Sequence, residues 1–186
     1  MSIHASELRR GIAVNYKDGV WVCVDNEKVA KGKGQSYQSV SLKNIYTGQL
    51  INERFRTSEQ LEQAIVDRRP LEYLFTDGKN HVLMDSTTYE QVSIPAELVG
   101  EKSVFLTENL SIEVAFVDGR PVTADLPNTV ELTIAETPPQ LKGATATNQP
   151  KEAICEGGAR VRVPPFIEKG TLIKVDTRTG EYLSRA

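Results

Sequence analysis

Residues 12–24 read Ile-Ala-Val-Asn-Tyr-Lys-Asp-Gly-Val-Trp-Val-Cys-Val, two apolar segments separated by an Asp-Gly turn. β-Branched and aromatic residues favour strands, and Asp-Gly between two such segments is a strong hairpin signal. Short strand-like segments separated by turn dipeptides recur along most of the chain. The sequence therefore predicts an all-β protein.

Further strands are predicted outward from this hairpin. They span residues 39–46, 49–55, 71–75, 81–84, 111–117, 120–122, 130–134, 159–163, 171–175 and 181–183. Two helical segments are also expected. Residues 57–60, Thr-Ser-Glu-Gln, resemble a capping box that begins a helical turn, and residues 94–99 form a short helix with proline near its start and Gly100 after its end.

The strand pattern divides the chain into three small β-barrels. About five strands in the first third suit an SH3-like barrel, and a strand set with one interposed helix suits a five-stranded OB barrel. We expect an N-terminal domain over 1–65, a central domain over 66–129 and a C-terminal domain over 130–186. The last two are expected to share an architecture. Residues 138–150, rich in Thr, Ala and Pro, predict a long exposed loop, either functional or merely tolerated.

Composition excludes several classes of protein. The chain has 186 residues, and its apolar runs are far shorter than the roughly 20 residues that a membrane span needs. No secretory signal precedes the first strands, so we expect a cytoplasmic protein. Cys23 and Cys155 are expected to be buried small hydrophobes, and the isolated His4 and His81 cannot supply a zinc site. With no nucleophile elbow, phosphate loop or dinucleotide fingerprint, we expect neither an enzyme nor a bound cofactor or metal.

Charge is distributed unevenly along the chain. Residues 1–65 carry 9 Lys/Arg against 7 Asp/Glu, residues 66–129 carry 5 against 11, and residues 130–186 carry 8 against 7. Mildly basic ends and an acidic middle are compatible with a molecule that touches RNA at both ends.

A lysine-bearing loop follows the first hairpin. Residues 28–37 read Lys-Val-Ala-Lys-Gly-Lys-Gly-Gln-Ser-Tyr, so that Lys33 stands between Gly32 and Gly34. Flanking glycines permit a tight turn and leave the ammonium unshielded, which suits contact with phosphate or enzymatic extension of the amine. The other interpretation is an ordinary solvated Gly-Lys turn.

Three ordered motifs give the whole chain a resemblance to the bacterial elongation factor P family. The C-terminal motif comprises Val163-Pro164, Phe166, Gly170 and residues 175–182, Val-Asp-Thr-Arg-Thr-Gly-Glu-Tyr. Residues 73–78, Tyr-Leu-Phe-Thr-Asp-Gly, with Met84 resemble the family's middle-domain hairpin. Residues 32–35, Gly-Lys-Gly-Gln, resemble its modified-lysine loop, in which Lys31, Gly32, Gly34 and Gln35 would support the tip residue Lys33.

The resemblance implies an SH3-like barrel followed by two OB barrels in an L-shaped, tRNA-like outline. It implies a monomeric, non-enzymatic factor that binds both ribosomal subunits between the peptidyl and exit sites. There the tip lysine, often extended by a modifying enzyme, would approach the CCA end of peptidyl-tRNA and relieve stalling at consecutive prolines. Such catalysis acts through positioning.

The resemblance also implies contacts to tRNA and the small subunit by Tyr182 and Arg185, although ordinary strand-edge roles are an equal alternative. Two positions depart from the family pattern. Lys31 stands where proline is frequent, and the last domain's loop has Gly143-Ala144-Thr145 in place of Gly-Asp-Thr or Gly-Asn-Thr. Because Ala144 lacks a polar side chain, codon contact by this loop would fall to Thr145 and backbone groups.

Two further hypotheses remain. One is a divergent elongation factor P-like paralogue that binds ribosome or RNA without relieving proline stalls. The other is a general single-strand binder that uses OB surfaces. The latter is disfavoured because only 6% of residues are aromatic and the central unit is acidic.

Overall fold

Antiparallel strands dominate the structure, a computed structural model that describes residues 1–30, 34, 36–140 and 149–186. The strands are β1 Ser2–His4, β2 Ala13–Tyr16, β3 Gly19–Val29, β4 Tyr37–Asn44, β5 Leu50–Arg56, β6 Gln60–Gln63, β7 Asp67–Thr76, β8 Asn80–Met84, β9 Gln91–Pro95, β10 Ser111–Val117, β11 Arg120–Asp125, β12 Thr129–Glu136, β13 Lys151–Cys155, β14 Arg160–Val163, β15 Leu172–Asp176 and β16 Tyr182–Arg185. Short 3-10 helices span Ala5–Glu7, Ala96–Leu98 and Gly100–Phe105. Across these described ranges, no helix is long and apolar enough to cross a membrane.

The strands form three sheets. The first has the order β1-β6-β2-β3-β4-β5, the second β11-β10-β7-β8-β9 and the third β14-β13-β12-β15-β16. In the second and third sheets, the first strand in sequence is central, with the second and third on one side and the fourth and fifth on the other. The all-β prediction is confirmed, and the last two sheets share one strand order, as expected.

Strands β2 and β3 are buried on both faces. Val14, Trp21 and Cys23 pack in the core of the first sheet, whereas Ala13 and Val22 pack on the opposite face. The register explains this division, because Ala13 pairs with Val22 and Val14 pairs with Trp21. A strand buried on both faces needs an uninterrupted apolar run, which is what residues 20–24 supply.

The opposite face of the first sheet is covered by the β10–β11 hairpin. Ala115, Val117 and Val122 from this hairpin form one buried cluster with Ala13 and Val22. The hairpin turns at Asp118 and Gly119, which have φ values of 48° and 74°. Positive φ at both positions is the signature of the tight turn that Asp-Gly favours.

The third sheet encloses its own core, which extends from Val130 in β12 to Val175 in β15. Its buried members are Val130, Leu132, Ile134, Ala153, Cys155, Ala159, Val161, Val163, Ile167, Ile173 and Val175. Alternation in β14 is strict, since Val161 and Val163 are buried while Arg160 and Arg162 are exposed. Both arginines therefore lie on the outer side of the sheet.

Backbone proximity groups the chain into two compact units. One contains Met1–Arg69 with Val114–Ala124, and the other contains Pro70–Glu113 with Asp125–Ala186. The first unit thus combines the first sheet with the β10–β11 hairpin. The division at 65/66 and 129/130 stays a prediction.

Both helical expectations need correction. Residues 57–59 form a turn that leads into β6, which begins at Gln60, and the Glu59 side chain accepts a hydrogen bond from the backbone N–H of Arg56 at 3.2 Å. Within 94–99, Ile94 and Pro95 end β9, and the 3-10 helix occupies only Ala96–Leu98. Pro95 has ψ 134°, an extended value that excludes it from a helix.

The cysteine prediction is confirmed. Cys23 and Cys155 are free thiols with 0% and 1% of their surface exposed. Burial raises the pKa of Cys23 to about 11 and also raises that of Cys155. Both therefore stay protonated at neutral pH and serve as core residues.

Candidate functional site

The lysine loop is the connection of a long hairpin. Strands β3 and β4 pair from Trp21 and Asn44 to Val29 and Tyr37, with one bulge on the way. Residues 30–36 join the last pair, and Lys33 is the fourth of these seven. The predicted tip and support residues Lys31, Gly32, Lys33 and Gln35 lie outside the described residues, whereas Gly34 is described and exposed.

Cations surround the base of this loop. The Arg54 guanidinium lies 5.3 Å from the centroid of the Tyr37 ring, and Arg56 stands opposite Tyr37 across β4 and β5. Lys28, next to the last residue of β3, is exposed as well. Although Glu27 is also exposed here, cations predominate, and such a surface favours a neighbouring polyanion.

The C-terminal motif forms the turn between β15 and β16. One carboxylate oxygen of Asp176 accepts hydrogen bonds from the Arg178 backbone N–H at 2.8 Å and from its Nε at 3.1 Å, while the other accepts from Nη2 at 2.7 Å. Led by the side-chain bonds, these contacts lower the pKa of Asp176 to about 2. Gly180, at φ 76°, donates to the Asp176 carbonyl at 2.7 Å and closes the turn. Asp176, Arg178 and Gly180 therefore have a structural role, which is to hold this turn.

Tyr182 and Arg185 both lie on β16, the last strand of the third sheet. Tyr182 pairs with Val175 and packs, half-buried, against the C-terminal core. The Arg185 guanidinium lies 4.9 Å from the centroid of the Phe166 ring, so a cation and an aromatic face meet at the edge of this strand. The other predicted contact residues, Gly143 and Thr145, belong to segment 141–148, outside the described residues.

A surface groove beside Tyr182 was missed at the sequence level. It has a volume of about 630 Å³, and its lining includes Arg160, Arg162, Pro164, Phe166 and Tyr182. The strand predicted over 159–163 contains both arginines. The sequence could not show that β14 and β16, which are not consecutive strands, meet at one groove.

Among residues 1–30, 34, 36–140 and 149–186, no group of His, Cys, Asp and Glu side chains is arranged to hold a metal ion. Two described regions remain as candidate contact surfaces, the cation-rich end of the β3–β4 hairpin and the aromatic and cationic edge of the third sheet. Neither contains a described nucleophile paired with a base. Both regions present cations at the surface, which favours a neighbouring anion.

Comparison with known proteins assigns each sheet to a family. Residues 4–61 match "Elongation factor P (EF-P) KOW-like domain", residues 66–124 match "Elongation factor P (EF-P) OB domain" and residues 130–185 match "Elongation factor P, C-terminal". Together the three matches extend over nearly the whole chain.

Full-length relatives agree with these matches. The chain is 44% identical over 184 residues to elongation factor P of Symbiobacterium thermophilum, covering 99% of this chain and 100% of the relative. It is 40% identical over 185 residues to the protein of the same name from Pelagibacter ubique, covering 100% of both. A solved structure of eukaryotic translation initiation factor 5A from Methanococcus jannaschii is similar over 68% of this chain and 94% of that chain, with 23% identity and a TM-score of 0.46.

A KOW-like sheet followed by two OB-type sheets, with these matches, defines a translation elongation factor. The chain belongs to the elongation factor P family. The predicted resemblance is thereby confirmed, as is the predicted class of fold, an SH3-like first domain with OB folds after it.

Proposed function

We propose that this protein binds the ribosome between the peptidyl and exit sites and stimulates peptide bond formation where consecutive prolines stall it. The observation that carries the proposal is a family match in all three sheets, combined with Lys33 at the centre of the segment that joins β3 to β4. The cations around Tyr37 support an RNA-facing orientation of this end.

The mechanism rests on positioning. Proline is a sluggish nucleophile, and a mobile peptidyl ester adds an entropic cost to the reaction. If the Lys33 amine holds the acceptor end of peptidyl-tRNA in a reactive geometry, the ordering alone can lower the barrier by several kcal/mol. The chain need transfer no proton, so its role is that of a factor and not of an enzyme in its own right.

The C-terminal surface has a complementary role. Tyr182 and Arg185 contact the anticodon arm of the tRNA and the small subunit through stacking and phosphate contact, while Gly143 and Thr145 approach the exit-site codon. Arg185 is suited to this because the Phe166 ring supports its guanidinium and leaves it at the surface. Two contacts at opposite ends of the chain would fix its register on the ribosome.

The remaining parts of the proposal concern organisation. The chain acts as a cytoplasmic monomer of three domains with boundaries near residues 65 and 129, and its partners are the two ribosomal subunits and peptidyl-tRNA. A lysine-modifying enzyme that extends Lys33 would lengthen the reach of the amine. Lys31 and Ala144, which depart from the family pattern, favour the second candidate, a paralogue that binds ribosome or RNA without relieving proline stalls.

A reconstituted translation assay distinguishes the two candidates. Synthesis is measured on a template with consecutive prolines and on a matched template without them, with the protein, with Lys33→Ala and with Lys31→Ala. We expect the protein to accelerate only the proline template, Lys33→Ala to abolish this acceleration and Lys31→Ala to retain most of it. Full acceleration by Lys33→Ala would refute the lysine mechanism, and no acceleration by the protein purified from its own host would favour the paralogue.

A further inference from the structure

One six-residue turn occurs three times in the structure, once in each sheet. The copies join β4 to β5, β8 to β9 and β15 to β16, and they span residues 44–49, 85–90 and 176–181. In each copy the backbone N–H of the first residue donates to the carbonyl of the sixth, at 2.8, 3.0 and 2.9 Å. The N–H of the fifth residue donates to the carbonyl of the first, at 2.9, 2.8 and 2.7 Å.

Side chains complete the turn in the same way in all three copies. The first residue is Asn or Asp, and its side-chain oxygen accepts a hydrogen bond from the N–H of the third residue at 2.8–2.9 Å. The fourth residue is threonine, and its hydroxyl accepts from the N–H of the sixth residue at 3.3–3.4 Å. Because the copies agree in backbone and side-chain bonds, residues at equal positions can be compared directly.

The fifth position distinguishes the second copy from the other two. Gly48 and Gly180 occupy this position with φ values of 73° and 76°, whereas Tyr89 occupies it with φ 59°. A positive φ costs little for glycine and is unfavourable for a bulky residue. The other two copies show that glycine satisfies this turn. Tyrosine therefore stands at position 89 at a cost in stability.

No contact within the described chain offsets this cost. The Tyr89 side chain is 73% exposed, and no described residue stacks on its ring or bonds to its hydroxyl. In the first copy, by contrast, the aromatic residue Tyr46 bonds to Asp118 and carries Arg120 on its ring. Backbone strain that the fold does not require points to function. An aromatic ring held outward on a hydrogen-bonded turn is preorganised for contact with another molecule.

The charge around the turn selects the chemistry of the partner. Residues 80–101 contain no Lys or Arg, and their acidic members are Asp85, Glu90, Glu97 and Glu101. The wider segment 66–129 carries 5 Lys/Arg against 11 Asp/Glu. Such a surface repels the phosphates of RNA and attracts cations. A tyrosine ring adds a face on which a Lys or Arg side chain binds through the cation–π interaction.

We infer that Tyr89 is a contact residue for a basic segment of a partner protein. The ring receives a lysine or arginine side chain of that segment, and Glu90, exposed beside Tyr89, supplies complementary charge. That the partner is a protein of the ribosome rests on the proposed function. The preference for a cationic polypeptide rests on the turn and its charge alone.

Thermal melts of the free, full chain test the stability cost. Tyr89→Gly gives this turn the residue of the other two copies and should raise the melting temperature by up to about 4 °C. Gly48→Tyr is the reciprocal control and should lower it by about 2–4 °C. Crowding does not contribute to this control, because no described atom lies within 4 Å of a Cβ at Gly48. A lower melting temperature for Tyr89→Gly would show that the ring supports the fold and would overturn the inference.

Binding to ribosomes stalled at consecutive prolines tests the contact. Tyr89→Gly should raise the dissociation constant about tenfold, and Tyr89→Phe should retain most of the affinity because the ring face is what a cation contacts. Glu90→Gln should weaken binding less and reduce its salt dependence. The matched control is Thr87→Ala, an exposed position in the same turn, which should leave binding unchanged. Wild-type affinity of Tyr89→Gly, or an equal loss with Thr87→Ala, would refute the contact.

Cross-linking identifies the class of the partner. A benzophenone amino acid replaces Thr87, which leaves the Tyr89 ring in place, and the complex with stalled ribosomes is irradiated. A cross-link to a Lys/Arg-rich segment of a protein supports the inference, whereas a cross-link to RNA alone, or none, overturns it.

The Tyr89 contact and the lysine mechanism fail separately. At saturating concentration Tyr89→Gly should relieve proline stalls as fully as wild type, whereas Lys33→Ala should bind ribosomes and relieve none. If wild type bound ribosomes through Tyr89 without relieving stalls, the proposed function would be wrong and the Tyr89 contact would stand.

Discussion

The hydroxyl of Tyr46, in the loop between β4 and β5, donates a hydrogen bond to the carboxylate of Asp118 in the turn of the β10–β11 hairpin. The same ring carries the Arg120 guanidinium at 4.9 Å from its centroid. The hydrogen bond to Asp118 raises the pKa of Tyr46, and desolvation of the hydroxyl adds a smaller increase. At the surface, these contacts add to the apolar cluster that joins the hairpin to the first sheet. The hairpin and the sheet should therefore unfold together.

Val117→Ala tests this joint. Val117 is 1% exposed within the cluster, and removal of two methyl groups there should cost about 2 kcal/mol from lost transfer energy and the cavity left behind. Trp21 is the only tryptophan in the sequence and lies in the core of the first sheet, so its fluorescence reports the first unit. We expect the urea midpoint measured at Trp21 to fall.

The matched control is Val161→Ala, which removes the same atoms from the C-terminal core. It should lower the urea midpoint measured by circular dichroism. It should shift the midpoint measured at Trp21 less than Val117→Ala does. If Val117→Ala left the Trp21 midpoint at its wild-type value, the hairpin would not belong to the cooperative unit of the first sheet.

Alanine substitutions at two adjacent glycines distinguish the cost of backbone strain from the cost of steric crowding. Gly157 and Gly158 have φ values of 97° and 90°, so alanine is strained at both. A Cβ at Gly157 would lie 3.0 Å from the Val104 carbonyl oxygen, whereas no described atom lies within 4 Å of one at Gly158. Both Gly→Ala changes should destabilise the protein by about 1–3 kcal/mol through strain, with Gly157→Ala costing more. Thermal melts of both variants measure the difference, and equal melting temperatures would show that Val104 moves aside freely.

His81 should make the protein sensitive to mild acid. Its side chain is 4% exposed, its ring meets Tyr73 edge-on at 5.7 Å, and neither ring nitrogen has a hydrogen-bond partner among the described residues. Burial lowers the pKa of His81, opposed only in part by the charge of Asp77.

The folded state therefore binds fewer protons than the unfolded state near pH 6. Stability is complete above the unfolded pKa of about 6.5 and declines as the pH falls through it toward the folded pKa. His81→Phe keeps the ring against Tyr73 and removes the titration, so its melting temperature should fall less than that of wild type between pH 7.5 and 5.5. The exposed His4 provides the control substitution, His4→Gln. Parallel pH profiles for wild type and His81→Phe would assign the acid sensitivity to other groups.

The sequence predicted the strands that are rich in buried apolar side chains. Residues 111–117 were predicted with the bounds of β10. The apolar run at 20–24 lies inside β3, but β3 continues to Val29. This extension was not predicted because it contains exposed polar residues such as Glu27. Strand β6 was missed because its residues, Gln-Leu-Glu-Gln, bury only Leu61 in the core. Tertiary pairing with β1 and β2, which no local pattern encodes, makes it a strand.

For the site, the sequence supplied residue identities but not their assembly. Lys33 could be selected because its neighbours are glycines, and Tyr182 and Arg185 because their motif resembles a family. The groove that Arg162 and Phe166 share with Tyr182 depends on the meeting of two strands at the seam of one sheet. Such proximity is a property of topology, and sequence spacing alone gives no sign of it.

The central claim is that the Lys33 amine lies beside the acceptor end of peptidyl-tRNA. A diazirine-bearing lysine analogue incorporated at position 33, and at position 28 as a control on the same hairpin, can be irradiated on ribosomes stalled at consecutive prolines. The account predicts a cross-link from position 33 to the 3′-terminal nucleotides of the peptidyl-site tRNA, and none to those nucleotides from position 28. A cross-link from position 33 only to ribosomal RNA or protein away from that terminus would contradict it.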